Sequence, residues 1–117
     1  MEEIKILVAD DKKNTCQLFK EYLTPMGGKV DVAYDGKRAL ECLDSKSYDL
    51  LFLDCNMPEL SGIEMARYLK AKRTRPKIVV MTGYAFMDEG FAKAIGADVY
   101  LKKPFLLDDV KKVINGR

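Results

Sequence analysis

Hydrophobic and polar positions alternate along this chain in a regular rhythm of short apolar runs and longer amphipathic stretches. Ile4–Ala9 (IKILVA) is rich in branched residues, stops at Asp10-Asp11, and predicts a buried strand. Thr15, Leu18, Phe19, Tyr22 and Leu23 then recur at helical spacing, until Pro25 and Gly27-Gly28 end the helix. Lys29–Tyr34 alternates as a half-covered strand, and Asp35-Gly36 turns the chain into a helix over Lys37–Asp44. Leu50–Leu53 is apolar on both faces and breaks off at Asp54, the pattern of a central parallel strand. After a loop at Met57–Gly62, Ile63, Ala66 and Leu69 mark the buried stripe of a third helix. Ile78–Met81 predicts a fourth strand ending at Thr82-Gly83, and Asp88–Ile95 a fourth helix stopped by Gly96. Ala97–Lys103 reads as the last strand, closed by Pro104. Leu107, Val110 and Ile114 line a final helix, with Gly116 at its C-terminal cap.

Strand and helix therefore alternate five times, which predicts an α/β fold: a doubly wound, five-stranded parallel sheet with helices on both faces. No linker or low-complexity segment interrupts the rhythm, so residues 1–117 are expected to form one domain.

Composition narrows the function. The net charge is +2, too close to neutral to point to nucleic acid or an anionic membrane surface. No apolar run exceeds four residues, so no segment is expected to span a bilayer, and no secretory leader is visible. Three cysteines at irregular spacing suit a reducing compartment, and a cytoplasmic location is expected. The chain has no histidine, which excludes Ser-His and Cys-His catalytic pairs and any histidine-bearing zinc site.

The polar residues that break the pattern fall at strand ends: Asp10 and Asp11 after the first, Asp54 after the third, Thr82 after the fourth, Lys103 after the fifth. Open α/β sheets bind ligands beyond the carboxyl ends of their strands, near the point where strand order reverses. With strand order 2-1-3-4-5, all five residues converge on one crevice, and the edge strand contributes nothing. Two carboxylates about 4 Å apart repel by about 4 kcal/mol at an effective dielectric of about 20, so three of them call for a cation. Hard oxygen ligands select Mg2+, Mn2+ or Ca2+, and a few carboxylates completed by water is the Mg2+ style of site. A pocket with a metal, a lysine and a hydroxyl suits a phosphoryl group, and a carboxylate is itself able to accept one.

These motifs resemble the response-regulator receiver domain of two-component signalling, of the chemotaxis-regulator type and flavodoxin-like in fold. The resemblance rests on Asp10-Asp11 after ILVA, Asp54 in LFLDCNMPELSG, Thr82 in VVMTG and Lys103 in YLKKPF. Steps of 43, 28 and 21 residues separate Asp11, Asp54, Thr82 and Lys103, and the resemblance covers essentially the whole chain. It implies a phosphorelay switch rather than an enzyme. Asp54 would accept a phosphoryl group from a partner's phosphohistidine. Asp11, Asp54 and the backbone carbonyl of Asn56 would ligate Mg2+, and Asp10 would act through water. Lys103 would pair with the phosphate, Thr82 would hydrogen-bond it, and Tyr100 would be the aromatic whose burial accompanies activation. Lys103-Pro104 would be a cis peptide. The implied partners are a sensor histidine kinase or histidine phosphotransfer protein, and a downstream protein. The latter would meet the face of the fourth helix, fifth strand and final helix, around Tyr84, Phe86, Phe91 and Tyr100.

Plainer roles stand beside these. Asp10 and Asp11 are able to cap the first helix. Lys102 competes with Lys103, since alternate strand residues face opposite ways and adjacency to Pro104 favours Lys103. Cys16, Cys42 and Cys55 read as inert packing, and Lys70, Lys72, Arg73, Arg75 and Lys77 as a solvated helix end. An aspartyl phosphatase would need a second acid two residues after Asp54, where Asn56 stands. A flavodoxin would need a glycine-bearing phosphate loop, and DDKKNT has no glycine.

Overall fold

The computed structural model describes residues 3–55, 62–72, 75–83, 90, 93 and 96–116. Five strands, β1 (Ile4–Ala9), β2 (Gly28–Ala33), β3 (Leu50–Asp54), β4 (Lys77–Thr82) and β5 (Val99–Lys102), form one sheet. The sheet is parallel throughout, as the sequence rhythm predicts, and ordered β2-β1-β3-β4-β5, the order that goes with the family resemblance. Four helices are described: α1 (Lys13–Leu23), α2 (Gly36–Ser45), α3 (Gly62–Lys70) and α4 (Leu107–Asn115). Of the predicted fourth helix over 88–95 only residues 90 and 93, both helical, are described; its other residues lie outside the described residues, as do Asn56, Met57, Arg73, Tyr84, Phe86 and Met87. Among the described residues no helix is long and apolar enough to cross a membrane.

Strand alternation divides the core into two layers. Leu7, Ala9, Leu51, Leu53, Ile78 and Val80 face α2 and α3, where Ala39, Met65 and Leu69 meet them. Ile6, Val8, Leu50, Phe52, Val79 and Met81 face α1 and α4, against Phe19, Leu23, Val110, Val113 and Ile114. β3 is buried along its entire length, the consequence of its central place in a sheet covered on both sides.

Two apolar stripes differ from the pattern read in the sequence. In α1 the residues that meet the sheet are Cys16, Phe19 and Leu23, whereas Leu18 is 55% exposed. Leu18 lies two residues, or about 200°, around the helix from Cys16, so the two cannot share a face. In α4, Val110, Val113 and Ile114 are buried while Leu107 is exposed at the first turn.

Local signals account for the helix boundaries. After α1 the chain makes a 3-10 turn over Thr24–Met26, and Gly27 adopts a left-handed φ of 91°. Gly28 opens β2 so close to α1 that a Cβ there would lie 2.9 Å from the Leu23 carbonyl oxygen. Asp35 caps α2, its Oδ1 accepting the Arg38 N–H at 2.7 Å. Gly116 does follow α4, but with φ −94° rather than in the left-handed conformation.

Candidate functional site

Register brings the strand-end residues together. β1 and β3 pair Ala9 with Leu53, so the next residues, Asp10 and Asp54, emerge side by side at the carboxyl edge. β3 and β4 pair Asp54 with Met81, which puts Thr82 one step further along the neighbouring strand. β5 ends at Lys102, opposite Thr82, and Lys103 lies just past the strand, its N–H donating to the Thr82 carbonyl at 2.7 Å. β2 ends one strand away at the sheet's margin and supplies only the Ala33 carbonyl, which accepts the Asp10 N–H at 3.0 Å.

Carboxylate oxygens of Asp10, Asp11 and Asp54 all lie within 4.8 Å of one another. Asp10 and Asp54 are buried, at 0% and 4% exposure, and Asp11 is exposed. The Lys103 ammonium reaches into the cluster, 3.2 Å from Asp10 Oδ2 and 3.4 Å from Asp54 Oδ1. Burial by itself would lower the Lys103 pKa, but the two carboxylates outweigh it and hold the ammonium above its ordinary value. Lys102, the competing lysine, is exposed. The Lys103-Pro104 peptide is cis.

Asp10 is engaged twice, its Oδ1 accepting the Lys12 N–H at 2.9 Å and its Oδ2 taking Lys103. The helix cap itself is Lys12, which makes no side-chain capping bond, so neither acid serves as the N-cap residue of α1. Thr82 is buried at the floor of the crevice. At Gly83 an added Cβ would meet only the Lys103 Cβ, at 3.9 Å, so close backbone approach does not demand the glycine there. Tyr100 is half-buried against the α2–α3 side of the core, and its hydroxyl is buried without a hydrogen-bond partner among the described residues.

Burial pushes the Cys55 thiol up to about 11; hydrogen bonding with Thr82 opposes this and the Asp54 charge adds to it. Burial and the Asp10 charge likewise push Cys16 up to about 11. Both thiols are protonated at neutral pH, which removes the thiolate a redox role requires. Away from the crevice, the basic run is partly structural. Arg75 holds Asp98 through bonds of 2.7 and 3.3 Å, and Asp98 also accepts the Ile78 N–H at 2.8 Å.

Three carboxylates against one ammonium leave two net negative charges in a crevice whose two inner acids are buried. The donor set fits a hard divalent cation: oxygen atoms only, close together, with one exposed acid on the open side.

Residues 6–115 match the family model described as response regulator receiver domain. The transcriptional regulatory protein CpxR of Escherichia coli is 41% identical over 101 residues, 86% of this chain and 43% of CpxR. The chain spans under half the length of the curated relatives it matches. The receiver domain of Francisella response regulator 1452 superposes with a TM-score of 0.90 at 31% identity, covering 97% of this chain and 94% of that one. The Thermotoga maritima response regulator TrrA, in complex with Mg(2+)-BeF, does so with a TM-score of 0.85 at 35% identity, covering 97% of both. Matched by sequence and by fold along nearly its whole length, this chain belongs to the response regulator receiver domain family, whose members are phosphoacceptor switches rather than enzymes.

Proposed function

We propose that Asp54 accepts a phosphoryl group from a phosphohistidine on a partner protein, and that the adduct shifts residues 1–117, as one receiver domain, between two surfaces. The observation that carries this reading is the convergence of three carboxylates within 4.8 Å around a lysine that bridges two of them. In the transfer, an Asp54 oxygen forms a bond to phosphorus as the phosphorus–nitrogen bond breaks, and the imidazole nitrogen keeps the electron pair. None of these 117 residues is a histidine, so the phosphohistidine lies outside them, on a sensor histidine kinase or histidine phosphotransfer protein.

Mg2+, or Mn2+ in its place, would be held by Asp11, Asp54 and the Asn56 carbonyl. Asp10 would act through water, since both its oxygens are already engaged within the chain. A divalent cation supplies charge neutralisation at the phosphoryl oxygens. Lys103 pairs with the phosphoryl group from the β5 side, and Thr82 donates its hydroxyl from β4.

A phosphoryl group brings nearly two negative charges, and the domain responds only as far as its residues bind the charged state better. Tyr100, half-buried on β5, is the aromatic that responds, its ring burying further as the phosphorylated state forms. The output face is the helix predicted over 88–95 together with β5 and the last helix, and its partner is a protein rather than nucleic acid or membrane. Three free cysteines accord with a cytoplasmic setting.

Incubation with acetyl phosphate and Mg2+, followed by intact-mass measurement, tests the reading. The parent should gain one phosphoryl group only when the divalent ion is present, and Asp54→Ala should gain none. Equal labelling of Asp54→Ala would overturn it.

A further inference from the structure

Cys16 has no part in the roles described so far, yet it touches the acidic crevice from behind. It lies in the first turns of α1 and is 1% exposed. Its Sγ donates to the backbone carbonyl oxygen of Asp10 at 3.3 Å. α1 begins at Lys13, and its N-cap residue, Lys12, makes no side-chain capping bond, so the usual fastening between a strand-end turn and its helix is missing. Two contacts on Asp10 replace it: its carboxylate takes the Lys12 N–H, and its carbonyl takes the Cys16 thiol.

That carbonyl belongs to the peptide group joining Asp10 to Asp11. Ala33 fixes Asp10 on its N–H side, and Cys16 fixes the plane of the next peptide on the other. Asp11 is exposed and its carboxylate makes no hydrogen bond among the described residues, so the backbone from which it extends is the part of it that the chain holds in place. Rotation of the Asp10–Asp11 peptide would swing the Asp11 carboxylate away from Asp54.

We propose that Cys16 is a positioning residue for the acidic crevice: its thiol, bonded to the Asp10 carbonyl, holds the Asp10–Asp11 peptide so that Asp11 stays aimed at a divalent cation shared with Asp54. The inference rests on reading the crevice as a cation site. It separates from simple packing because Cys16→Ser keeps a donor but packs poorly, whereas Cys16→Ala loses the donor altogether.

The test is Mn2+ binding by electron paramagnetic resonance, with melting in EDTA measured on the same samples. Cys16→Ala should bind Mn2+ about three- to tenfold more weakly, as loss of an outer-shell support does, and Cys16→Ser should come within about twofold of the parent. Both variants should melt lower than the parent, so stability alone would not reproduce that order. Infrared measurement of the parent, with Cys16→Ala as the blank, should show the S–H stretch of a hydrogen-bonded thiol, and this readout needs no metal. Parent-like Mn2+ affinity in Cys16→Ala, failure of serine to restore it, or a free-thiol stretch would each overturn the inference. Asp54→Asn is the control. If it binds Mn2+ as the parent does, or if the parent binds none, the cation-site reading itself fails and this inference with it.

Discussion

Lys103→Met is the substitution that most directly exposes the charge balance of the crevice. At an effective dielectric of about 20, the Lys103 contacts at 3.2 and 3.4 Å are each worth about 5 kcal/mol of attraction. Removing the ammonium leaves three carboxylates within 4.8 Å, each pair repelling by at least about 3.5 kcal/mol on the same scale. Relaxation and entering water reduce these values. Breaking a buried ion pair by deleting one partner costs about 3–5 kcal/mol, and with the lysine side chain 23% exposed a net loss of about 2–3 kcal/mol is expected. At about 4 °C per kcal/mol for a chain of this size, the midpoint in EDTA should fall by about 8–12 °C. Melting followed by circular dichroism measures it. Mg2+ should then stabilise the variant more than the parent, because the cation substitutes for the lost ammonium. A midpoint within about 2 °C of the parent in EDTA would refute the reasoning, since the carboxylates would then not be repelling one another.

The other predictions concern the same crevice and its scaffold. Asp10→Asn gives up one attraction to Lys103 and two repulsions, from Asp11 and Asp54, so its midpoint in EDTA should be unchanged or higher; a clear fall would count against the clustered charges. Gly28→Ala should cost about 1–3 kcal/mol in a urea titration, because the new methyl meets the Leu23 carbonyl at 2.9 Å; a neutral result would mean that α1 yields easily. Asp98 is pulled up by burial but held below its ordinary 3.8 by Arg75 and the Ile78 N–H, which prevail. A depressed carboxylate stabilises the fold above its unfolded pKa and loses that contribution as pH falls through the folded value. Asp98→Asn should therefore cost about 2 kcal/mol at neutral pH, and the gap to the parent should begin to narrow only once the pH falls below about 3.8; a gap independent of pH would contradict the pairing with Arg75.

Much of this fold is written in its runs and stops. Leu50–Leu53 is apolar on both faces because β3 is covered on both sides, and the stop at Asp54 marks the sheet's carboxyl edge. Parallel order then carries Asp10, Asp54, Thr82 and Lys103 to one end, since every strand finishes there. Periodicity cannot choose between two stripes that share a residue. In α1, Thr15-Phe19-Tyr22 and Cys16-Phe19-Leu23 both fit the helical repeat, and packing selects the second. The signal for Cys16 was the general preference of cysteine for burial, which says nothing of its bond to the Asp10 carbonyl. Leu107 misleads for a related reason: it starts α4 at the rim, where the sheet no longer covers it. The double engagement of Asp10 is beyond reach of sequence, because it depends on a turn geometry and on a lysine 93 residues away.

The identity of the acceptor is the claim on which the functional account stands, and chemical trapping addresses it directly. After treatment with acetyl phosphate and Mg2+, borohydride reduces an aspartyl phosphate to homoserine, and peptide mass analysis locates the altered residue. The account predicts homoserine at position 54 alone, in the parent and only with the divalent ion present. Homoserine at another aspartate, or an unaltered Asp54 in a chain that has gained phosphate, would contradict it.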